Sequence, residues 1–174
     1  ISSDSFTIVN ATSFDEVVGQ DHIVKTLVNL IKMDKIFHGY LFSGPRGTGK
    51  TSIAKIFANA INCIHANNKE DICTRCKENV NKSLDIIEID AASNNSVNDV
   101  RAIREQIEFA PTNSPYKIYI IDEVHMLSKG AFNALLMTLE EPPKHVIFIL
   151  ATTDPNKIPD TILSRVQKYN FKRI

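Results

Sequence analysis

The sequence predicts an α/β fold: a parallel sheet of five strands with helices on both faces. Three observations predict it. Near-continuous apolar runs, of which 117–121 and 145–151 are the clearest, read as strands buried on both faces. Amphipathic helical patterns alternate with them along the chain. Between one such run and one such helix lies Gly44-Pro45-Arg46-Gly47-Thr48-Gly49-Lys50-Thr51, a glycine-rich loop in the strand–loop–helix setting of a phosphate-binding motif.

Residues 1–14 have no clear period. A helix is predicted over 21–33, with Ile23, Leu27, Leu30 and Ile31 on one face and Lys25 and Asn29 opposite. Tyr40-Leu41-Phe42-Ser43 reads as the first strand. Beyond the loop, Ile53, Ile56, Phe57 and Ala60 set a helix over 52–61. Residues 62–84 are rich in Asn, Lys, Cys and Glu without an apolar period, and read as an insertion. The run 85–90 is a strand whose alternation is less clean than a solvated edge would show. Ser96 is a candidate N-cap for a helix over 97–109, with Asp99 in the favoured acidic position.

Pro111 and Pro115 bracket a loop, and 117–123 is an apolar run ending in Asp122-Glu123. Ser128 caps a helix with Phe132, Leu135, Leu136 and Leu139 as its stripe. That helix stops at Glu140-Glu141, because Pro142 and Pro143 cannot continue it. A strand over 145–151, a short helix over 160–165 and a last strand over 168–171 close the chain. Ligands of such sheets sit at the carboxyl ends of the strands, so Gly44, Asp122 and Thr152-Thr153 are expected to converge on one crevice.

With 174 residues, the chain suits one domain with a full core, or one domain and a small appendage. Hydrophobic residues at 43% and charged residues at 23% describe a globular protein, and the formal net charge of +0 offers no global field toward nucleic acid. The longest apolar stretch, 146–151, is far too short to cross a bilayer, and Ile1-Ser2-Ser3-Asp4 has no signal-peptide character. Three cysteines, two of them as Cys73-x-x-Cys76, suggest a reducing compartment and a metal in place of a disulfide framework. A cytoplasmic protein is expected, and Ile1 in place of an initiator Met suggests a piece of a longer one.

The loop and the strand ends carry the chemistry. Backbone N–H groups of Gly44, Arg46, Gly47, Thr48 and Gly49 would surround a polyphosphate at a helix N-terminus. Lys50 would reach the β- and γ-phosphates and the Thr51 hydroxyl would ligate Mg²⁺; Ser52, opening the helix, stands outside this set. Asp122 at a strand end suits the second Mg²⁺ contact, and Glu123 is the natural base or polariser for an attacking water. His125 is read as a structural hydrogen-bonder. Thr153 is placed to hydrogen-bond the γ-phosphate or the water, with Thr152 pointing to the other side.

Seven segments occur in order: Phe14-x-x-Val17-Val18-Gly19-Gln20, the phosphate loop, Glu88-Ile89-Asp90-Ala91-Ala92-Ser93, Asp122 to Leu127, Leu139-Glu140-Glu141-Pro142-Pro143, Ala151 to Pro155, and Leu163-Ser164-Arg165. Together they resemble the bacterial clamp-loader ATPases, the gamma/tau subunits of DNA polymerase III, from about Phe14 to the end of the chain. The resemblance implies a RecA-like AAA+ core that binds ATP and Mg²⁺, without the helical lid that follows it in such proteins. It implies that Val17, Val18 and Gly19 lie against the adenine. It also implies that Arg165 enters the ATP site of a neighbouring subunit as an arginine finger. The implied partners are other subunits in an open ring, the sliding clamp, and primed DNA reached through that assembly.

There are three departures. The family's insertion carries a four-cysteine zinc module; here Cys63, Cys73 and Cys76 remain and Asn79 stands at the fourth place, so either His65 replaces it or zinc is lost. Residues 7–12 replace a basic Arg-Pro segment, and Val166 stands where a cysteine is common. A nucleotide-dependent scaffold subunit and an unrelated P-loop enzyme such as a nucleotide kinase are the competing readings. Lys50, Thr51, Asp122 and Glu123 argue against the first, and the lack of an acceptor-binding motif against the second. A DNA-phosphate contact at Asn95-Ser96, with Arg101 or Arg104 nearby, competes with a solvated helix face.

Overall fold

The computed structural model describes residues 19–33, 35–63, 85–93, 97–106 and 116–172. Among them, the chain runs α1 (Asp21–Lys32), β1 (Gly39–Ser43), α2 (Lys50–Asn62), β2 (Ile86–Asp90), α3 (Val97–Gln106), β3 (Lys117–Asp122), a 3₁₀ turn (Val124–Met126), α4 (Lys129–Glu140), β4 (Val146–Thr152), a second 3₁₀ turn (Pro155–Lys157), α5 (Asp160–Leu163) and β5 (Gln167–Asn170). The predicted elements recur within a residue or two at most ends. Ser96 and the predicted helical residues 107–109 lie outside the described residues, and neither 3₁₀ turn was expected.

The five strands form one sheet in the order β2-β3-β4-β1-β5, and each adjacent pair is parallel. After β1 the chain crosses to the far edge, returns through β2, β3 and β4, and then passes to the other side of β1 as β5. This reversal next to β1 opens a crevice at the carboxyl ends of β1, β3 and β4.

Strand alternation divides the core in two. Tyr40, Phe42, Ile118, Ile120, Ile147 and Ile149 face α1 and α2, meeting Ile23, Leu27, Ile53 and Phe57. Leu41, Tyr119, Ile121, Phe148 and Leu150 face the opposite side and meet Val100 of α3, Phe132, Leu135 and Leu139 of α4, and Ile162 of α5. Burying each such side chain contributes about 1.5–3 kcal/mol, and this two-sided packing is what holds the sheet. The expectation of helices on both faces is met.

β2 differs from expectation. Among the described residues it is an edge strand, with Glu88 and Asp90 exposed and Ile86, Ile87 and Ile89 half-buried. A run of isoleucines reads as two-faced burial from sequence. At an edge, one flank has no strand to cover it.

Local signals set the ends of α4. Ser128 Oγ accepts from the Ala131 N–H at 3.1 Å, a cap contributing about 1 kcal/mol, and the helix stops before Pro142-Pro143. The start of α1 is unlike this. Gln20 takes a left-handed conformation at φ 52° and gives no side-chain cap. Its side chain instead donates to the carbonyls of Thr48 (3.4 Å) and Lys172 and accepts from the Lys172 N–H at 3.1 Å. One buried amide thus joins the start of α1, the phosphate loop and the strand-end segment after β5.

Candidate nucleotide site

The loop between β1 and α2 holds its shape by its own contacts. Gly44 has φ 154°, and a Cβ there would stand 2.6 Å from the Phe171 carbonyl oxygen, so the backbone of the chain beyond β5 excludes any side chain. Thr48, fully buried, donates its hydroxyl to the Pro45 carbonyl at 2.7 Å. Gly49, at φ 85°, turns the chain into α2, whose first residue is Lys50.

Lys50 Nζ donates to the carbonyls of Gly44 (2.8 Å) and Pro45 (2.9 Å). Burial lowers its pKa, opposed by the carboxylates of Glu123 and Asp122, while Arg46 adds to the lowering. The carboxyl ends of β3 and β4 supply the opposite wall. Asp122 accepts from the Glu123 N–H at 3.0 Å and from the Thr51 hydroxyl. Burial raises its pKa most; Glu123 and Asp90, its register partner on β2, push the same way. Glu123 leaves the strand at φ 53°, and its Oε2 accepts from Thr153 Oγ1 at 3.3 Å.

Arg46, Gly47, Gly49, Lys50, Thr51, Asp122, Glu123 and Thr153 line one open cleft, as the strand-end argument expected, and Ser52 joins them. Gly44 and Thr48 shape the loop from behind the cleft lining. Val17 and Val18 lie outside the described residues, as do Cys73, Cys76, His65 and Asn79; Cys63 is the residue that follows α2. Among the described residues, no cluster of His, Cys, Asp or Glu is grouped to hold a metal without other ligands.

The Thr51 hydroxyl with the Asp122 carboxylate is a small oxygen donor set, beside a phosphate cradle and next to like-charged carboxylates. That fits Mg²⁺, which takes one or two protein oxygens and completes its shell with water and substrate phosphate.

Thr152 does turn away from the cleft. It is fully buried and meets His125. Arg165 lies elsewhere. Its carbonyl and Val166 approach Gly39, which opens β1, whereas the phosphate loop follows the other end of that strand. Five residues of strand separate the two by roughly 13 Å or more. The guanidinium pairs with Glu140 at 3.2 Å and donates to the Thr161 carbonyl at 2.8 Å.

A family model described as DNA polymerase III, delta subunit, matches residues 19–174. The chain belongs to that DNA polymerase III family. Among its curated relatives, the gamma/tau resemblance is borne out. DNA polymerase III subunit tau of Bacillus subtilis is 61% identical over 172 residues, spanning 97% of this chain and 31% of that protein. Subunit tau of Escherichia coli is 48% identical over 165 residues, spanning 93% and 26%. The chain therefore covers about a third or less of the DNA polymerase III subunits it matches.

Two solved structures show the fold. A DNA polymerase III gamma subunit-related protein from Thermotoga maritima aligns with TM-score 0.68 at 22% identity, over 87% of this chain and 46% of that one. The Thermotoga maritima RuvB Holliday junction branch migration motor aligns with TM-score 0.63 at 22% identity, over 95% and 49%. The fold, a parallel five-stranded sheet with a phosphate loop after its first strand, is thus the one these two proteins share. Among the described residues, no helix is long and apolar enough to cross a membrane.

Proposed function

We propose that this chain is the ATP-binding and hydrolysing motor part of a DNA polymerase III clamp-loader subunit, acting in a ring that loads the sliding clamp onto primed DNA. The observation that carries the reading is the convergence of the phosphate loop with Asp122, Glu123 and Thr153 on one cleft. The curated tau and gamma/tau relatives supply the biological setting. A cytoplasmic location goes with that role.

ATP would lie with its phosphates along the N–H groups of the loop, Lys50 leaving the Gly44 and Pro45 carbonyls for the β- and γ-phosphates. The Thr51 hydroxyl and the Asp122 carboxylate would hold Mg²⁺, which when bound would supply charge neutralisation to the phosphates. Glu123 orients the attacking water and takes its proton as the oxygen bonds to the γ-phosphorus. The bond from that phosphorus to the β–γ bridging oxygen breaks, leaving ADP and inorganic phosphate. Thr153 holds the Glu123 carboxylate.

Arg165, beyond reach of its own loop, would serve the next subunit's γ-phosphate. The test is ATP turnover by the assembled complex with and without clamp and primed DNA. Turnover should rise with both and fall at least about a hundredfold in Glu123→Gln; unchanged turnover would overturn the assignment. Arg165→Ala should lower ring turnover while leaving that subunit's own nucleotide affinity intact.

For zinc, a site of Cys63, Cys73, Cys76 and His65 predicts about one zinc per purified chain, lost in Cys73→Ser. Zinc-free protein would mean that the asparagine at position 79 marks a lost site. For DNA, Arg101 is exposed on α3. Arg101→Ala rings would show a shallower salt dependence of primed-DNA binding if it meets phosphate.

A further inference from the structure

His125 lies in the 3₁₀ turn just after Glu123, and the mechanism above gives it no task. Its side chain is only 9% exposed and its two ring nitrogens have different partners. Nδ1 is 2.8 Å from Thr152 Oγ1, and Nε2 is 3.4 Å from Glu123 Oε2. Thr152 is fully buried, and its oxygen already accepts from the Asp154 N–H at 3.0 Å.

Counting hydrogens sets the direction of this chain of contacts. Thr152 has one O–H to donate, and Nδ1 stands at donating distance. Were Nδ1 the protonated nitrogen, a bare Nε2 lone pair would face a carboxylate oxygen. With the Thr152 hydroxyl donating to Nδ1, the hydrogen of a neutral ring sits on Nε2, the nitrogen 3.4 Å from Glu123 Oε2. The same oxygen accepts from Thr153 at 3.3 Å. The Thr153 hydroxyl and the Nε2 side of the imidazole therefore both stand beside Oε2. Glu123 needs such anchoring, because its left-handed backbone turns it out of β3 and leaves its side chain 24% exposed.

We propose that His125 is a positioning residue: Thr152 sets its tautomer, and its Nε2–H holds Glu123 Oε2 so that Oε1 is presented to the attacking water. This rests on the reading of Glu123 as the residue that activates water.

The test uses the full-length chain in its assembled complex, with turnover and nucleotide affinity measured separately. His125→Phe should lower kcat by about ten- to a hundredfold while leaving the nucleotide Kd within about twofold, since a misplaced group costs rate and not binding. His125→Gln, which can offer an amide N–H where Nε2–H stood, should recover most of the loss. Thr152→Val should fall between the two. Equal losses in the Phe and Gln variants, or a loss expressed in Kd, would overturn the proposal.

A readout independent of turnover is the ¹⁵N spectrum of the imidazole. The Nε2–H tautomer is expected, and an Nδ1–H tautomer overturns the assignment. If Glu123→Gln slows turnover and His125→Phe does not, the positioning role alone fails. If Glu123→Gln has no effect, the hydrolysis assignment fails and the positioning role with it.

Discussion

Thr153 and Glu123 meet at 3.3 Å across thirty residues of chain, which joins the carboxyl ends of β3 and β4 at the cleft. The hydroxyl donates to one carboxylate oxygen and so fixes the orientation of the group. Thr153→Val, nearly equal in volume, should lower turnover about tenfold with nucleotide affinity little changed. Steady-state kinetics beside equilibrium nucleotide binding would check this. A loss of affinity with kcat intact would instead place the hydroxyl on the nucleotide.

Lys50 predicts the converse split. Its ammonium is held by the Gly44 and Pro45 carbonyls, and on the proposed reading exchanging them for phosphate would be its contribution to binding. Lys50→Ala should weaken MgATP binding by at least about tenfold, the loss of one charge-assisted contact. Calorimetric titration of both nucleotide and the folded state would separate this from unfolding.

Asp122 links the site to stability through pH. Burial raises its folded-state pKa above the ordinary 3.8, so it favours folding below 3.8 and that contribution is lost as pH rises through the folded value. At neutral pH the ionised carboxylate therefore counts against the fold. Asp122→Asn should raise the melting temperature without nucleotide at pH 7, keep its bond from the Glu123 N–H, and show no gain below pH 3.8. Melting curves across pH would show it, together with loss of Mg²⁺-dependent nucleotide binding.

Gly44 is where the loop and the end of the sheet touch. A Cβ would meet the Phe171 carbonyl oxygen at 2.6 Å and Phe171 Cβ at 3.0 Å, both set by backbone. Gly44→Ala should cost about 1–3 kcal/mol, as overpacking does, seen as a lower denaturant midpoint.

Tyr119 offers a gain. Its hydroxyl is buried with no hydrogen-bond partner among the described residues, its pKa is pushed up to about 12 by burial, and its ring stacks on Phe148 at 5.5 Å. Tyr119→Phe keeps the stack and removes an unmet polar group, so it should raise stability by about 1 kcal/mol. Chemical denaturation of the two proteins is the measurement, and a lower midpoint would show that the hydroxyl is satisfied in solution.

Lys50, Thr51, Asp122 and Glu123 were legible because their setting is local: apolar strand, glycine turn, helix start, and carboxylates at a strand end. The two-sided core was legible for the same reason, since a parallel strand buried on both faces must read as continuous Ile, Val, Leu and Phe. The edge position of β2 was not, because the isoleucines of 86–89 say what a strand can bury and not which neighbours it has.

Chain order alone therefore determined the elements, the phosphate loop and the identity of the acidic pair. Tertiary structure decided the strand order, the strap from Gln20 to Thr48 and Lys172, the joining of Thr152 to His125, and the placing of Arg165 at the far end of the sheet from its own loop. Each of these depends on groups far apart in sequence that are brought together when two hydrophobic faces close over one sheet. A local period carries no trace of which distant partner a buried polar atom will find.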